Sequence, residues 1–291
     1  MRKKRISLST IILVIILLVG LSVMLYPTVS DWWNSRVQTQ AIASYDIAVE
    51  QIDDNHYDEI MSQAHAYNEA IAQVEAPLSN PDVVSGYEDI LNISGTGIMG
   101  YITIPTINVQ LPIYHGTSDE ILNVAAGHLE GSSLPVGGTT THSVISAHRG
   151  LPSARLFSDL DRLVVGDTFT ITILDEILTY EVEEINIVLP HETSRLAISE
   201  GKDYVTLMTC TPYGINSHRL LVRAHRIETV YPHNIKVVSD AVKVDPMLVV
   251  PGICIPLLAI LITIWIVGGK RRRKRSAKDI FDDISSTKKG R

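Results

Sequence analysis

Two uncharged stretches bracket this chain and limit what the rest of it can become. Leu8 to Tyr26 runs 19 residues without a charge, directly after Arg2-Lys3-Lys4-Arg5. Met247 to Val267 runs 21 more, closely followed by Lys270-Arg271-Arg272-Arg273-Lys274-Arg275. About 20 apolar residues cross a bilayer core as a helix. Basic flanks stay on the cytoplasmic side. Two spans with both basic ends inside set residues 27–246 outside the cell. Tyr26-Pro27 offers no small-residue cleavage site, so the first run reads as an uncleaved anchor, not a removed signal. Pro251 and Pro256 are tolerated in a membrane helix.

The charges divide along the same lines. Residues 1–26 hold four Lys/Arg and no acid, and residues 270–291 hold ten Lys/Arg against three Asp/Glu. The stretch between holds eleven Lys/Arg against 29 Asp/Glu. So acidic a middle repels phosphates, which excludes nucleic acid as its partner. Of the two cysteines, Cys254 lies in the second apolar run. The exported part is then left with Cys210 as a free thiol and no disulfide, and its core alone must stabilise it.

Residues 29–75 read as two amphipathic helices. Trp33, Val37, Ala41, Tyr45, Ala48 and Ile52 recur at steps of three and four. After Asp53-Asp54-Asn55, the series Tyr57, Ile60, Ala64, Tyr67, Ile71 and Val74 does the same. These stripes are expected to pack on the domain that follows. Ala76-Pro77-Leu78-Ser79-Asn80-Pro81 ends the helical pattern. From Ile98 onward short β-rich runs alternate with turn residues: Met99–Ile104, Val109–Tyr114, Ser143–Ala147, Thr168–Ile173, Leu178–Val188, Tyr204–Met208 and His218–Ile227. That spacing predicts a sandwich or a barrel. Ser153 to Leu160 is expected to form one or two helical turns.

The chemistry gathers in the last two runs. Cys210 closes one strand, Pro212-Tyr213-Gly214 turns the chain, and Arg219 opens the next strand. If the two strands pair, thiol and guanidinium face each other. That arrangement suits thiolate attack on an acyl group, with a fixed cation to hold substrate or an oxyanion. His148 ends a strand-like run before Arg149-Gly150, while His142 and His218 are rivals for the base. Arg223 shares strand parity with Arg219 and is the rival cation. The chain lacks an HExxH pair, a second exported cysteine and a GxSxG elbow, so no metal, no cofactor and no serine triad are expected.

The motif Thr206-Leu207-Met208-Thr209-Cys210 resembles the TLxTC signature of sortases, the cell-envelope transpeptidases of Gram-positive bacteria. Arg219 falls where that family has its arginine, and Ser146-Ala147-His148-Arg149-Gly150 is similar to the segment around its histidine. The resemblance covers about residues 78–232. It implies an eight-stranded β-barrel, so the fold class is mainly β, preceded by two amphipathic helices and with a transmembrane helix at each end. It also implies catalytic Cys210, His148 and Arg219, with Thr209 lining the substrate pocket. Cys210 attacks the Thr–Gly carbonyl of an LPxTG-like sorting signal, and an amine resolves the thioacyl intermediate.

The helices before the barrel, the two-span layout and Cys210-Thr211-Pro212-Tyr213 resemble pilus-type (class C) sortases. There the acceptor amine is a pilin lysine. An enzyme that joins surface proteins to the cell-wall cross-bridge, and a non-catalytic assembly module, are the alternatives. Pilus-type members carry a lid with an Asp-Pro-aromatic motif. The matching residues here are Asn80, Pro81 and Asp82. Asn80 has no charge for Arg219, and Asp82 has no ring to cover a thiol. The lid is therefore expected to be weak, shifted in register or mostly open. The expected order is a cytoplasmic N-terminus (1–7), a transmembrane helix (8–26), an extracellular helical region (27–77), a lid-like segment (78–97), the barrel (98–232), a linker (233–246), a transmembrane helix (247–268) and a basic tail (269–291).

Overall fold

The computed structural model describes residues 8–230. The expected N-terminal stretch 1–7, linker, second span and basic tail lie outside the described residues. Helix α1 (Leu8–Val49) is continuous for 42 residues. The expected boundary after residue 26, between a membrane helix and a separate amphipathic one, is therefore absent. The helix runs straight through Pro27. Proline already has a helical φ and orphans a single carbonyl one turn back, a defect that membrane helices accommodate. The N-terminal part of α1 is long and apolar enough to cross a membrane, and the protein covers none of that window.

Helix α2 (Asp54–Ala72) begins at Asp53, whose carboxylate accepts the His56 N–H at 2.9 Å and caps the first turn. Its stripe Ile60, Ala64, Tyr67 and Ile71 joins the main core. Asn68 locks it in place: its amide donates to Leu134 O at 3.1 Å and accepts Leu134 N–H at 2.7 Å. Two single turns of tight helix follow, Pro77–Ser79 and Pro81–Val83.

Eight strands make the barrel: β1 (Ile98–Ile104), β2 (Val109–His115), β3 (Ala126–His128), β4 (Thr141–Ser146), β5 (Thr168–Ile173), β6 (Glu176–Val188), β7 (Asp203–Thr211) and β8 (His218–Ile227). The short helix α3 (Asp119–Leu122) bridges β2 and β3. The sheet closes in the order β1-β2-β3-β4-β7-β8-β6-β5. Closure removes the open edges that a flat sheet of these strands would expose. All pairs are antiparallel except β2–β3 and β4–β7. Ile102, Ile145, Phe169, Tyr180, Leu207 and Val222 fill the interior.

Three features depart from the sequence reading. Strand β3 has three residues and no β-branched one; its strand state is set by β2 on one side and β4 on the other. Residues 153–160 form turns, with one tight helical turn only at Leu160–Arg162. Their backbone groups are taken by α1: Asn34 Nδ2 donates to Ser153 O and Arg155 N–H donates to Asp31 Oδ1, both at 2.8 Å. On α1 itself, Trp33 and Val37 are 63% and 47% exposed instead of packed. The barrel-facing side carries Asp31, Asn34, Gln38, Ile42 and Tyr45. The Tyr45 hydroxyl donates to Met99 O and accepts Leu174 N–H, both at 2.8 Å.

Candidate active site

Three neighbouring strands, β4, β7 and β8, place the candidate residues. In β7, Val205 and Leu207 belong to the barrel core, so alternation sends Thr206, Met208 and Cys210 to the outer face. The β7–β8 register pairs Cys210 directly with Arg219. Two residues facing each other in an antiparallel pair project to the same face. Thiol and guanidinium therefore share the outer surface of the barrel.

The histidine arrives on the other side. β4 runs parallel to β7, with Ser146 beside Met208. Ala147 N–H continues the pairing to Met208 O at 3.2 Å. Carried one step further, the register sets His148 level with Cys210. The row is then His148, Cys210, Arg219, with the sulfur in the middle. The backbone after His148 is held down: Phe157 N–H donates to His148 O at 3.1 Å, and Gly150 N–H donates to Ser158 Oγ at 3.1 Å. Arg149 is mostly buried, donates to Thr211 Oγ1 at 3.2 Å and pairs with Asp161. Gly150 has φ +79°, and a Cβ there would sit 3.1 Å from the Tyr213 ring. Glycine thus lets the β7–β8 turn pack against the loop that follows His148.

The rivals separate on their surroundings. His142 is buried, with Nδ1 donating to Ala197 O at 3.0 Å and Nε2 accepting the Thr206 hydroxyl at 2.7 Å. Burial pulls its pKa down to about 4. His218 pairs with Thr211, the opposite parity from Cys210. Arg223 is neutralised by Glu183 and Glu184 and lies over the Tyr204 ring. Arg219 has no carboxylate partner among the described residues; its Nη1 donates only to the carbonyls of Asn216 and His218. Neither the Cys210 nor the His148 side chain has a hydrogen-bond partner among the described residues. Cys210 is half-buried and free.

Thr209 sits elsewhere than the resemblance implied. It faces the barrel interior, is 1% exposed, and its hydroxyl donates to Ala147 O at 2.7 Å. It ties the strand of the cysteine to the strand of the histidine and lines no cleft. Strand parity carried that signal, since a residue next to an outward Cys210 must point inward.

Beside the row lies an apolar patch on the outer face: Val144, Val188, Leu196 and Leu221, with Met208, Leu129 and Leu78 packed against it. Leu78 brings the segment Pro77–Val83 over the sheet. A Cβ on Gly131 would fall 2.6 Å from Pro77 O, which shows how closely this backbone crosses the barrel. Asn80 and Asp82 are exposed, and neither side chain makes a hydrogen bond or ion pair among the described residues. Asp82 lies near Glu130, whose pKa rises through burial first and then through the charges of Asp82 and Glu88. Neither lid side chain therefore bonds to Arg219 or Cys210 among the described residues. Among the described residues no group of three or more His, Cys, Asp or Glu is placed to hold a metal.

The comparisons with known proteins point to one family. A family model described as a sortase domain matches residues 102–227. The chain is 32% identical to sortase A of Streptococcus agalactiae serotype III over 117 residues, 39% of this chain and 47% of that protein. It spans about half the length of the curated relatives it matches. It is 49% identical to the crystal structure of sortase C1 from Streptococcus agalactiae, which aligns over 66% of this chain and 100% of its own with a TM-score of 0.60. Sortase C of Streptococcus pneumoniae, solved with insights into its catalysis and pilin substrate specificity, is 45% identical over 66% of this chain and 99% of its own, with a TM-score of 0.60.

Proposed function

The chain belongs to the sortase family, and from that premise we propose that it is a membrane-anchored cysteine transpeptidase that polymerises pilin subunits. The observation that supports the reading is the facing pair Cys210 and Arg219 on β7 and β8, with His148 two residues past the end of the neighbouring β4 and Arg219 without a carboxylate partner among the described residues. Cys210 Sγ attacks the Thr carbonyl carbon of an LPxTG-like signal. The Thr–Gly bond breaks, His148 gives a proton to the leaving glycine amine, and a thioester remains. The incoming lysine amine then attacks the thioester carbon while His148 takes its proton. The thiolate departs and an isopeptide bond is left. Arg219 holds the peptide backbone or the oxyanion, which is worth most in a site shielded from water.

The pilin acceptor is supported by the likeness to the two C-type structures. The anchor reading rests on α1 with its basic flank Arg2-Lys3-Lys4-Arg5, which sets the barrel outside the cell. The apolar run 247–268 supplies a second span in this reading. Incubation of the full chain in vesicles with a purified LPxTG-bearing pilin and with a cross-bridge peptide tests the acceptor. A lysine-linked ladder is the expected product. Peptide adducts alone would move the enzyme to cell-wall anchoring, and an unchanged pilin with either acceptor would leave only a non-catalytic module.

A further inference from the structure

Helix α1 does more than tether the barrel; its contacts fix which end of the barrel points at the membrane. Its first contacts are Asp31 with Arg155 N–H and Asn34 with Ser153 O. Those partners belong to the loop just after His148, at the Cys210 end of the sheet. Its last anchor is Tyr45, held by Met99 O and Leu174 N–H. Leu174 lies at the β5–β6 turn. β6 leaves that turn at Glu176 and reaches the Cys210 end at Val188, which pairs with Arg219. α1 therefore runs along the barrel from the active-site end to the opposite end. Asp31 lies five residues past Tyr26, about 7–8 Å along the helix axis.

The exposed side of α1 agrees with this direction. Tyr26, Val29, Trp33 and Val37 are all large, apolar and exposed. On a helical projection they form one stripe, roughly 125° from the face of Asp31, Asn34, Gln38 and Tyr45. The stripe continues the spanning segment beyond the length that a bilayer core requires. Trp and Tyr at that level are the residues that settle among lipid headgroups. Arg36 stacks over Trp32 in the same turn, a cation beside the interface. The β7–β8 turn adds Tyr213 and Ile215, exposed at the same end of the barrel.

We propose that the active-site end of the barrel rests on the lipid headgroup layer, with the stripe Tyr26–Val37 of α1 and the tip of the β7–β8 turn in contact with lipid. The catalytic row then opens close to the membrane plane, and the barrel does not swing on a tether. This rests on the reading of α1 as a membrane anchor, and the experiment separates the two.

The full chain is reconstituted in phosphatidylcholine–phosphatidylglycerol vesicles, with and without lipids brominated high on the acyl chain. Three single-tryptophan proteins are compared. The first keeps only Trp33. The second carries Tyr213→Trp in a background with every tryptophan changed to Phe, and the third carries Thr139→Trp in that background. Thr139 precedes β4 and lies at the far end of the strand that leads to His148, roughly 25 Å away. Circular dichroism confirms that each folds. Trp33 and Tyr213→Trp are expected to be quenched roughly threefold more strongly than Thr139→Trp, because bromine acts only near the bilayer surface. If Trp33 is quenched while Tyr213→Trp matches Thr139→Trp, the barrel does not rest on the membrane and this inference falls while the anchor stands. If Trp33 is itself unquenched, α1 does not enter the bilayer and both readings fall.

Discussion

The same face of the barrel carries two sets of similar residues, four residues apart along β7 and β8. His148, Cys210 and Arg219 make the first. His142, Thr206 and Arg223 make the second, with Thr206 paired to Arg223 as Cys210 is to Arg219. A histidine, a small nucleophile-like group and an arginine occur in both. The second row is closed: both nitrogens of His142 are bonded, Arg223 is held by two carboxylates and a ring, and Thr206 is 1% exposed. The first row keeps all three side chains unpaired with one another and within reach of solvent. Composition does not distinguish a structural row from a reactive one. Unspent hydrogen-bonding and charge capacity does.

The sharpest way to break this contrast is to truncate the middle of each row. Cys210→Ala is expected to lower transpeptidation at least about ten-thousandfold, since Cys210 is the only cysteine among the described residues and a thioester needs a thiol. Its unfolding free energy should stay within about 0.5 kcal/mol of the parent, as the thiol bonds to nothing. Thr206→Val should do the reverse. It leaves a buried His142 nitrogen without a partner at a cost of about 1–3 kcal/mol, while rate per folded molecule changes less than about threefold. A large loss of activity in Thr206→Val at full stability would merge the two rows.

The arginines come next. Arg219→Ala is expected to slow single-turnover acylation by roughly a hundredfold to a thousandfold, the usual effect of removing one oxyanion partner. Arg219→Lys should recover only part of it, because a point charge lacks the planar fork. Arg223→Ala should cost about 1–2 kcal/mol of stability and little rate, since Glu183 and Glu184 lose their counter-ion at a partly covered site. Single-turnover rates and urea titrations on the same samples read both quantities.

Much of the candidate row's placement was legible beforehand, and the reason is local. Cys210 and Arg219 flank one turn, so their pairing follows from a hairpin and needs no knowledge of the rest of the fold. His148 follows a strand that runs parallel to the one carrying Cys210, 62 positions away, which spacing alone does not reveal; the family resemblance supplied it. Thr209 was misassigned although the alternation of a strand already turned it inward. The rotation of Trp33 and Val37 away from the barrel was hidden for a different reason. A helix with apolar residues on two sides does not say which side meets protein and which meets lipid. β3 was invisible because its partners, not its residues, make it a strand.

Acid should destabilise the fold through two buried histidines, His142 of the closed row and His128 of β3. His142 and His128 are both neutral and buried, with pKa values pulled down to about 4 chiefly by burial. An unfolded histidine titrates near 6.5, so between those values the unfolded chain binds more protons than the folded one. Stability therefore rises with pH across this window and is lost as pH falls from about 6.5 towards 4, by roughly 3 kcal/mol for each histidine. Urea midpoints at pH 7 and pH 4.5 check this. His142→Gln should flatten the dependence by about half, and an unchanged slope would mean that the ring is not held neutral.

The smallest effect is expected at the lid, and it sharpens the meaning of an open row. Leu78 packs against the outer apolar cluster of Val144, Val188, Leu196 and Leu221, on the face that carries the Cys210–Arg219 pair. Asn80 and Asp82 make no side-chain bond among the described residues, so Leu78 and, a few residues on, Val84 seat the segment. Removing the Leu78 contact loosens a segment that Val84 still holds to the main core. Cys210 is already half-exposed with Leu78 in place. Leu78→Ala, in a Cys254→Ser background, should therefore raise the alkylation rate of Cys210 by only about twofold to fivefold. Deletion of residues 78–86 should add little more. An acceleration of a hundredfold would show that the thiol is guarded after all, and the reactive row would then owe its openness to a segment that moves and not to the unpaired groups beside it.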